Sequence, residues 1–169
     1  VRVDMLLPET APPASVLVDF IAGVGVLTLH RPAVLNALDL ATVRALTRQL
    51  DAWADDPAIR AVLLRGSGER AFCAGGDVRA LYELQRQGAP ELVCYFDEEY
   101  ALACRIHRYP KPTIALMDGV VMGGGMGISQ GCTHRLVTER TRMAMPETAI
   151  GIFPDVGASY FLSRLPPAL

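Results

Sequence analysis

The chain has 169 residues, 51% of them hydrophobic and 20% charged, with a formal net charge of −2. That length can bury one sizeable core, and the composition excludes a disordered or fibrous chain. Lys and Arg are scattered, so nothing draws the chain to nucleic acid or to an anionic membrane, and the longest apolar candidate is broken by Asp118 and the glycines that follow it, so no membrane span is expected.

Residues 1–14, with Pro8, Pro12 and Pro13, read as an irregular N-terminal tail without the basic and apolar regions of a signal peptide. The domain proper is expected over 15–169. Val16–Ile21 and Gly25–Leu29 are β-runs around the glycines at 23–25, a hairpin signal. Leu40, Val43, Leu46, Leu50 and Trp53 fall at helical spacing, with Asp39 placed to cap the helix. Ile59–Leu64 is a short apolar run that predicts a buried strand. A strand end then meets Gly75-Gly76, a helix starts at Asp77, and a second runs from Pro90 to about Arg108, ending before Pro110. Thr113–Met117 predicts another buried strand, the glycines of MGGGMG precede a short helix, and Arg135–Thr138 predicts a strand. The residues 144–147 read as a strand edge or loop, and the segment ending at Leu165 becomes helical. Strand, loop and helix recur with glycines at the strand-to-helix turns, an α/β layering whose sites form at the carboxyl ends of strands.

Two constellations carry chemistry. The first is the pair of glycine turns, Ala74-Gly75-Gly76-Asp77 and Gly123-Gly124-Gly125. Each could aim a free N–H at one point and so stabilise an oxyanion, or could serve only tight helix–sheet packing. Neither the dinucleotide nor the phosphate-loop glycine spacing is present, which argues against a nucleotide-binding module. The second constellation is Glu147 in MPET and Asp155 in FPDVG, both after a proline and among apolar residues (Met143, Met145, Ile150, Ile152, Phe153, Val156). Such surroundings raise a carboxyl pKa, as general acid–base work requires; equally, Glu147 could sit in a first helical turn and Asp155 could cap the last helix. Asp97-Glu98-Glu99 falls on a helix and reads as a solvated face. His30, His107 and His134 are far apart and no nucleophile elbow is present, so the parts of a Ser–His–Asp machine or a metal site are missing. Cys73, Cys94, Cys104 and Cys132 form no C-x-x-C pair; they read as buried reduced thiols, which points to the cytoplasm.

Taken together, His30-Arg31-Pro32 with Asn36-Ala37-Leu38, the run Ala71–Asp77, Asp118-Gly119 with Met122–Gly125, and Met145-Pro146-Glu147 resemble the crotonase (enoyl-CoA hydratase/isomerase) superfamily. The resemblance covers about residues 15–166. It implies a crotonase (ClpP-like) spiral of β-β-α units and an acyl-CoA ligand, with coenzyme A entering as part of the substrate and no separate cofactor. It also implies an oxyanion hole from the Gly76 and Gly124 amides, and a CoA-lining stretch at Ala33, Leu35 and Ala37 with Ala74. Hydratases of the family carry a glutamate two residues after the glycine triplet; here that position is Gly127. The run from Met145 to Leu165 is similar instead to the 3-hydroxyisobutyryl-CoA hydrolase branch, in which the Glu and Asp, here Glu147 and Asp155, form the catalytic pair. A Glu-Glu-Tyr segment of that branch matches Glu98-Glu99-Tyr100, which gives Glu99 a substrate contact as an alternative to the solvated face. Members of the branch are longer, and their C-terminal helical part, expected to be lacking here, builds subunit contacts; a homo-oligomer is therefore left open.

Overall fold

The structure, a computed structural model, describes residues 14–166, so residues 1–13 of the expected tail lie outside them. The chain opens with β1 (Val16–Ile21) and β2 (Val24–Leu29), an antiparallel hairpin turning at Ala22-Gly23. Next comes α1 (Leu40–Ala54), where Asp39 caps the helix by accepting a hydrogen bond from Thr42 N, an arrangement worth about 1 kcal/mol. Three strand pairs follow: β3 (Ala61–Gly66) with β4 (Ala71–Cys73), β5 (Thr113–Met117) with β6 (Val120–Met122), and β7 (His134–Val137) with β8 (Arg142–Ala144). Each pair sends its first strand to a five-stranded sheet, β1-β2-β3-β5-β7, and its second to a three-stranded sheet, β4-β6-β8. Helices fill the returns: α2 (Val78–Gln87) and α3 (Glu91–His107) after β4, α4 (Gly124–Gln130) after β6, and α5 (Ala158–Leu162) near the end. This is the expected spiral. Beyond the β1–β2 hairpin every strand pairing is parallel.

The core lies where α1 and α3 cross the larger sheet. Leu46 and Leu50 of α1, Leu102 and Ile106 of α3, and Val62 and Leu64 of β3 are wholly or almost wholly buried. β2 is nearly all buried, as a strand enclosed on both faces must be, whereas β1 at the edge turns Val18, Phe20 and Ile21 to solvent.

Several boundaries differ from the sequence reading. β3 starts at Ala61 rather than Ile59, because Pro57 and Asp56 shape a turn in which Ile59 N donates to Asp56 O. The strand expected from Arg135 begins one residue earlier. β6 was not anticipated: three residues are too few to show a period. The second and third glycines of the triplet lie inside α4 rather than before it. All four cysteines are free, yet only Cys73 and Cys132 are buried, and Cys104 is exposed on α3.

Candidate active site

The two glycine turns meet face to face between the sheets. Gly75 has φ +98°, open to glycine at little cost, and its α-carbon faces the other turn so closely that a Cβ there would lie 2.9 Å from Met122 O and 3.2 Å from Gly124 N. Cys73 Sγ accepts a hydrogen bond from Gly75 N at 3.4 Å, and burial pushes that thiol up to about 12, so it supports the turn as an inert group. Leu38 bridges to Gly76 through Leu38 N→Gly75 O and Asp77 N→Leu38 O. Those bonds use the Gly75 carbonyl and the Asp77 N–H and leave Gly76 N–H without an acceptor among the described residues. Gly124 is the first residue of α4, so its N–H has no partner within the helix.

Acids close in on the same two turns. Glu147 stands in the first turn of a 3₁₀ segment, Glu147–Ile150, and is only 6% exposed. A Cβ at Gly123 would fall 2.9 Å from its Oε1, so only glycine lets the carboxyl come this close. Its Oε2 has no hydrogen-bond partner among the described residues. Burial, and then the nearby charge of Asp155, raise its pKa, whereas a backbone N–H opposes the shift.

Glu99 is 3% exposed and points off α3 at Gly124, where any Cβ would collide with its Oε1. The solvated face therefore holds for exposed Asp97 and for Glu98, which pairs with Arg44, but not for Glu99. Burial, reinforced by the charges of Asp155 and Glu147, pushes the Glu99 carboxyl up to about 7, and the neighbouring Tyr95 opposes the rise. Tyr95, one turn earlier on α3, places its hydroxyl beside Gly76.

Asp155 is half-buried. Its side chain does not cap α5, whose N-cap is Gly157; instead Oδ2 accepts a hydrogen bond from the Tyr100 hydroxyl at 2.7 Å. Its apolar sequence neighbours do not enclose it: Ile150, Ile152 and Phe153 are exposed, Phe153 at 72%. Asp155 and Tyr100 instead line a cavity of about 850 Å³ that also touches Gly127, Val156 and Tyr160. Glu147, Gly76 and Gly124 do not line it.

The stretch expected to hold CoA is also built here. Leu35 and Asn36 adopt φ +55°, and Ala74 N donates to Leu35 O at 3.0 Å, which joins the stretch 33–37 to the first glycine turn. Ala33 is exposed and Ala37 buried. The sequence did not disclose what fixes this loop. Arg31 donates to Ala37 O at 2.6 Å and to Asp77 Oδ2 at 2.8 Å, while buried Asn36 donates to Ser67 O and Ala71 O. Tyr95 was missed as well, and Tyr100, quoted only as part of the Glu-Glu-Tyr segment, was given no role; their signal was four- and one-residue spacing from Glu99 on one helix. Among the described residues no cluster of His, Cys, Asp and Glu could hold a metal ion, and no helix is long and apolar enough to cross a membrane.

This fold agrees with comparison against known proteins. The family described as enoyl-CoA hydratase/isomerase matches residues 24–169, and the chain belongs to that family. Within it, the chain is 49% identical over 152 residues to a protein of Gallus gallus named 3-hydroxyisobutyryl-CoA hydrolase, mitochondrial, covering 90% of this chain and 40% of that protein. It is 48% identical to 3-hydroxyisobutyryl-CoA hydrolase 1 of Arabidopsis thaliana, covering 94% of this chain and 42% of the relative. The chain thus spans about two fifths of the length of these relatives. Among solved structures, a carnitinyl-CoA dehydratase from Mycobacterium thermoresistibile superposes with a TM-score of 0.87 at 49% identity, over 90% of this chain and 45% of the other. An enoyl-CoA hydratase from Rhodobacter sphaeroides gives 0.85 at 40% identity, over 90% and 45%. The mitochondrial names of the vertebrate relatives lend no support to the cytoplasmic location expected from the cysteines.

Proposed function

We propose that this chain carries the reaction centre of an acyl-CoA thioester hydrolase acting on a short branched 3-hydroxyacyl-CoA such as 3-hydroxyisobutyryl-CoA. The observation that carries the reading is the packing of the Glu147 and Glu99 carboxyls against Gly123 and Gly124, beside two amides, Gly76 and Gly124, that have no acceptor among the described residues. The similarity to proteins named 3-hydroxyisobutyryl-CoA hydrolase supports the substrate class.

In this reading the thioester carbonyl oxygen lies between the Gly76 and Gly124 N–H groups. Negative charge develops on that oxygen as the acyl carbon is attacked, and the fixed donors bind it most tightly at that moment; one such donor is typically worth a factor of roughly 10²–10³ in rate. Glu147 serves in one of two ways. As nucleophile it displaces CoA thiolate and forms a mixed anhydride, which water then opens; as general base it takes the proton of an attacking water. Both routes consume one water and yield a carboxylic acid and CoA thiol. Asp155 positions water or the substrate hydroxyl. Glu99, titrating near neutrality, can donate to or accept from a 3-hydroxyl group. Ala33, Leu35, Ala37 and Ala74 line the CoA moiety. The chemistry calls for no cofactor beyond the CoA of the substrate.

A lyase of the same fold is the second reading, favoured by the superposition of a carnitinyl-CoA dehydratase and an enoyl-CoA hydratase on the chain. Incubation with 3-hydroxyisobutyryl-CoA and, separately, with crotonyl-CoA distinguishes the two. Free thiol from the first substrate is the expected result. Hydration of crotonyl-CoA without thiol release would make the chain a lyase, and turnover of neither would leave it a piece that only binds or packs with a partner.

A further inference from the structure

Asp155 sits in a sparsely buried part of the described chain. From Gly151 to Leu165 only Val156 and Ala158 are buried, and Ile152, Phe153 and Tyr160 face solvent. Val156 is also the residue with the costliest backbone there: a β-branched side chain at φ +42°, in the left-handed region. Such a conformation persists only when surrounding contacts impose it. The contact is identifiable. Gly127 on α4 presents a bare α-carbon, and a Cβ built on it would lie 2.7 Å from Val156 Cβ and within 3.2 Å of both Val156 methyls. Val156 therefore fills the space a side chain at 127 would occupy. Its backward turn leaves the preceding residue, Asp155, aimed at α3, where the Tyr100 hydroxyl donates to Oδ2 at 2.7 Å.

We propose that Val156 and Tyr100 are positioning residues for Asp155: the Val156 side chain seated on Gly127 sets the turn, and the Tyr100 hydroxyl fixes the carboxylate. The inference rests on the hydrolase reading for its kinetic consequence, though not for its geometry. Gly127 then has a positive role, as the seat that the acid-bearing turn needs.

The test uses Val156→Gly and Tyr100→Phe, each alone and in an Asp155→Asn background, with thiol release from 3-hydroxyisobutyryl-CoA as readout. Glycine accepts φ +42° readily, so Val156→Gly removes the seat without forbidding the turn. Each single variant is expected to lower kcat on the order of tenfold, with KM changed less than about twofold, since a small misplacement of a reacting group costs rate more than binding. In the Asp155→Asn background neither change should lower kcat further. Equal losses in both backgrounds, or an unchanged kcat in the single variants, would overturn the proposal. If the unsubstituted chain releases no thiol, the hydrolase reading fails, and crystal structures of Val156→Gly and of the unsubstituted chain decide the positioning claim. Loss of the Tyr100–Asp155 hydrogen bond in the variant supports it; the same bond in both overturns it.

Discussion

The two halves of the site are held in different ways. The glycine half is made of backbone: two turns locked between the sheets by strand pairing, by Leu38 bridged to Gly76, and by the buried Cys73 thiol under Gly75. The acid half is made of side chains on unlike supports. Glu99 projects from a helix of the packed core, Glu147 from a 3₁₀ turn, and Asp155 from a loop with exposed neighbours. The amides proposed as donors thus sit on backbone held by strand pairing and bridge contacts, whereas the acids depend on specific side-chain contacts, Glu147 on Gly123, Glu99 on Gly124, and Val156 next to Asp155 on Gly127. Each acid, directly or through its neighbour, packs on a glycine at the cap or along α4, which makes that helix and its cap the common reference of the site.

The contrast can be broken most severely at Glu147. Glu147→Gln preserves shape but removes the nucleophile or base, so thioester cleavage should fall by a factor of about 10³ or more while acyl-CoA affinity stays within about twofold. Stopped-turnover thiol assays and calorimetric titration with acyl-CoA measure the two quantities. Unchanged turnover would remove Glu147 from the chemistry.

The next effect is on stability and concerns Glu99. Its carboxyl is pushed from an ordinary value near 4.5 up to about 7 by burial and neighbouring charge. Between those values the folded chain keeps a proton that the unfolded chain has released, so folding stability declines as pH rises through that window, by up to about 3 kcal/mol. Glu99→Gln should therefore match the unsubstituted chain below pH 4.5 and exceed it above pH 7, as read from urea midpoints across that range. A constant difference at all pH values would contradict the assignment.

How far the sequence foretold these two halves follows from what each is made of. The glycine half was legible because a run such as MGGGMG has few physical uses, and because the strands and helices around it, Thr113–Met117 and the helix capped by Asp39, have clean periods and caps. The strand β6 escaped because three residues carry no pattern. In the acid half the residue types were visible but their surroundings were not. Glu99 reads as one of three consecutive charges on a helix, and only the tertiary contact with Gly124 turns it inward. The apolar residues around Asp155 suggested burial, yet Ile150, Ile152 and Phe153 point to solvent and only Val156 next to it is buried, and the partner that matters, Tyr100, lies 55 residues away in the chain.

A subtler test sits on the reference helix itself. Gly124→Ala keeps the backbone N–H but adds a methyl group where Glu99 Oε1 lies, 3.3 Å from Leu38 Cδ1. The chain should fold, with Glu99 displaced and kcat lowered about 10²-fold, the usual consequence of a small error in geometry. The smallest effect belongs to the outer face of α3. Arg44 pairs with Glu98 beside the site yet at the surface, so Arg44→Ala should leave both the melting temperature and turnover nearly unaltered, by thermal melt and thiol assay.

The central claim is that two backbone amides grip a thioester oxygen while a carboxylate faces the acyl carbon. A crystal structure of the chain with a non-cleavable 3-hydroxyacyl-CoA analogue measures this directly. The account predicts the carbonyl oxygen about 2.7–3.1 Å from both Gly76 N and Gly124 N, with the Glu147 carboxyl toward the acyl carbon. An analogue bound with its carbonyl away from either amide, or with Glu147 on the far side of the acyl group, would contradict it.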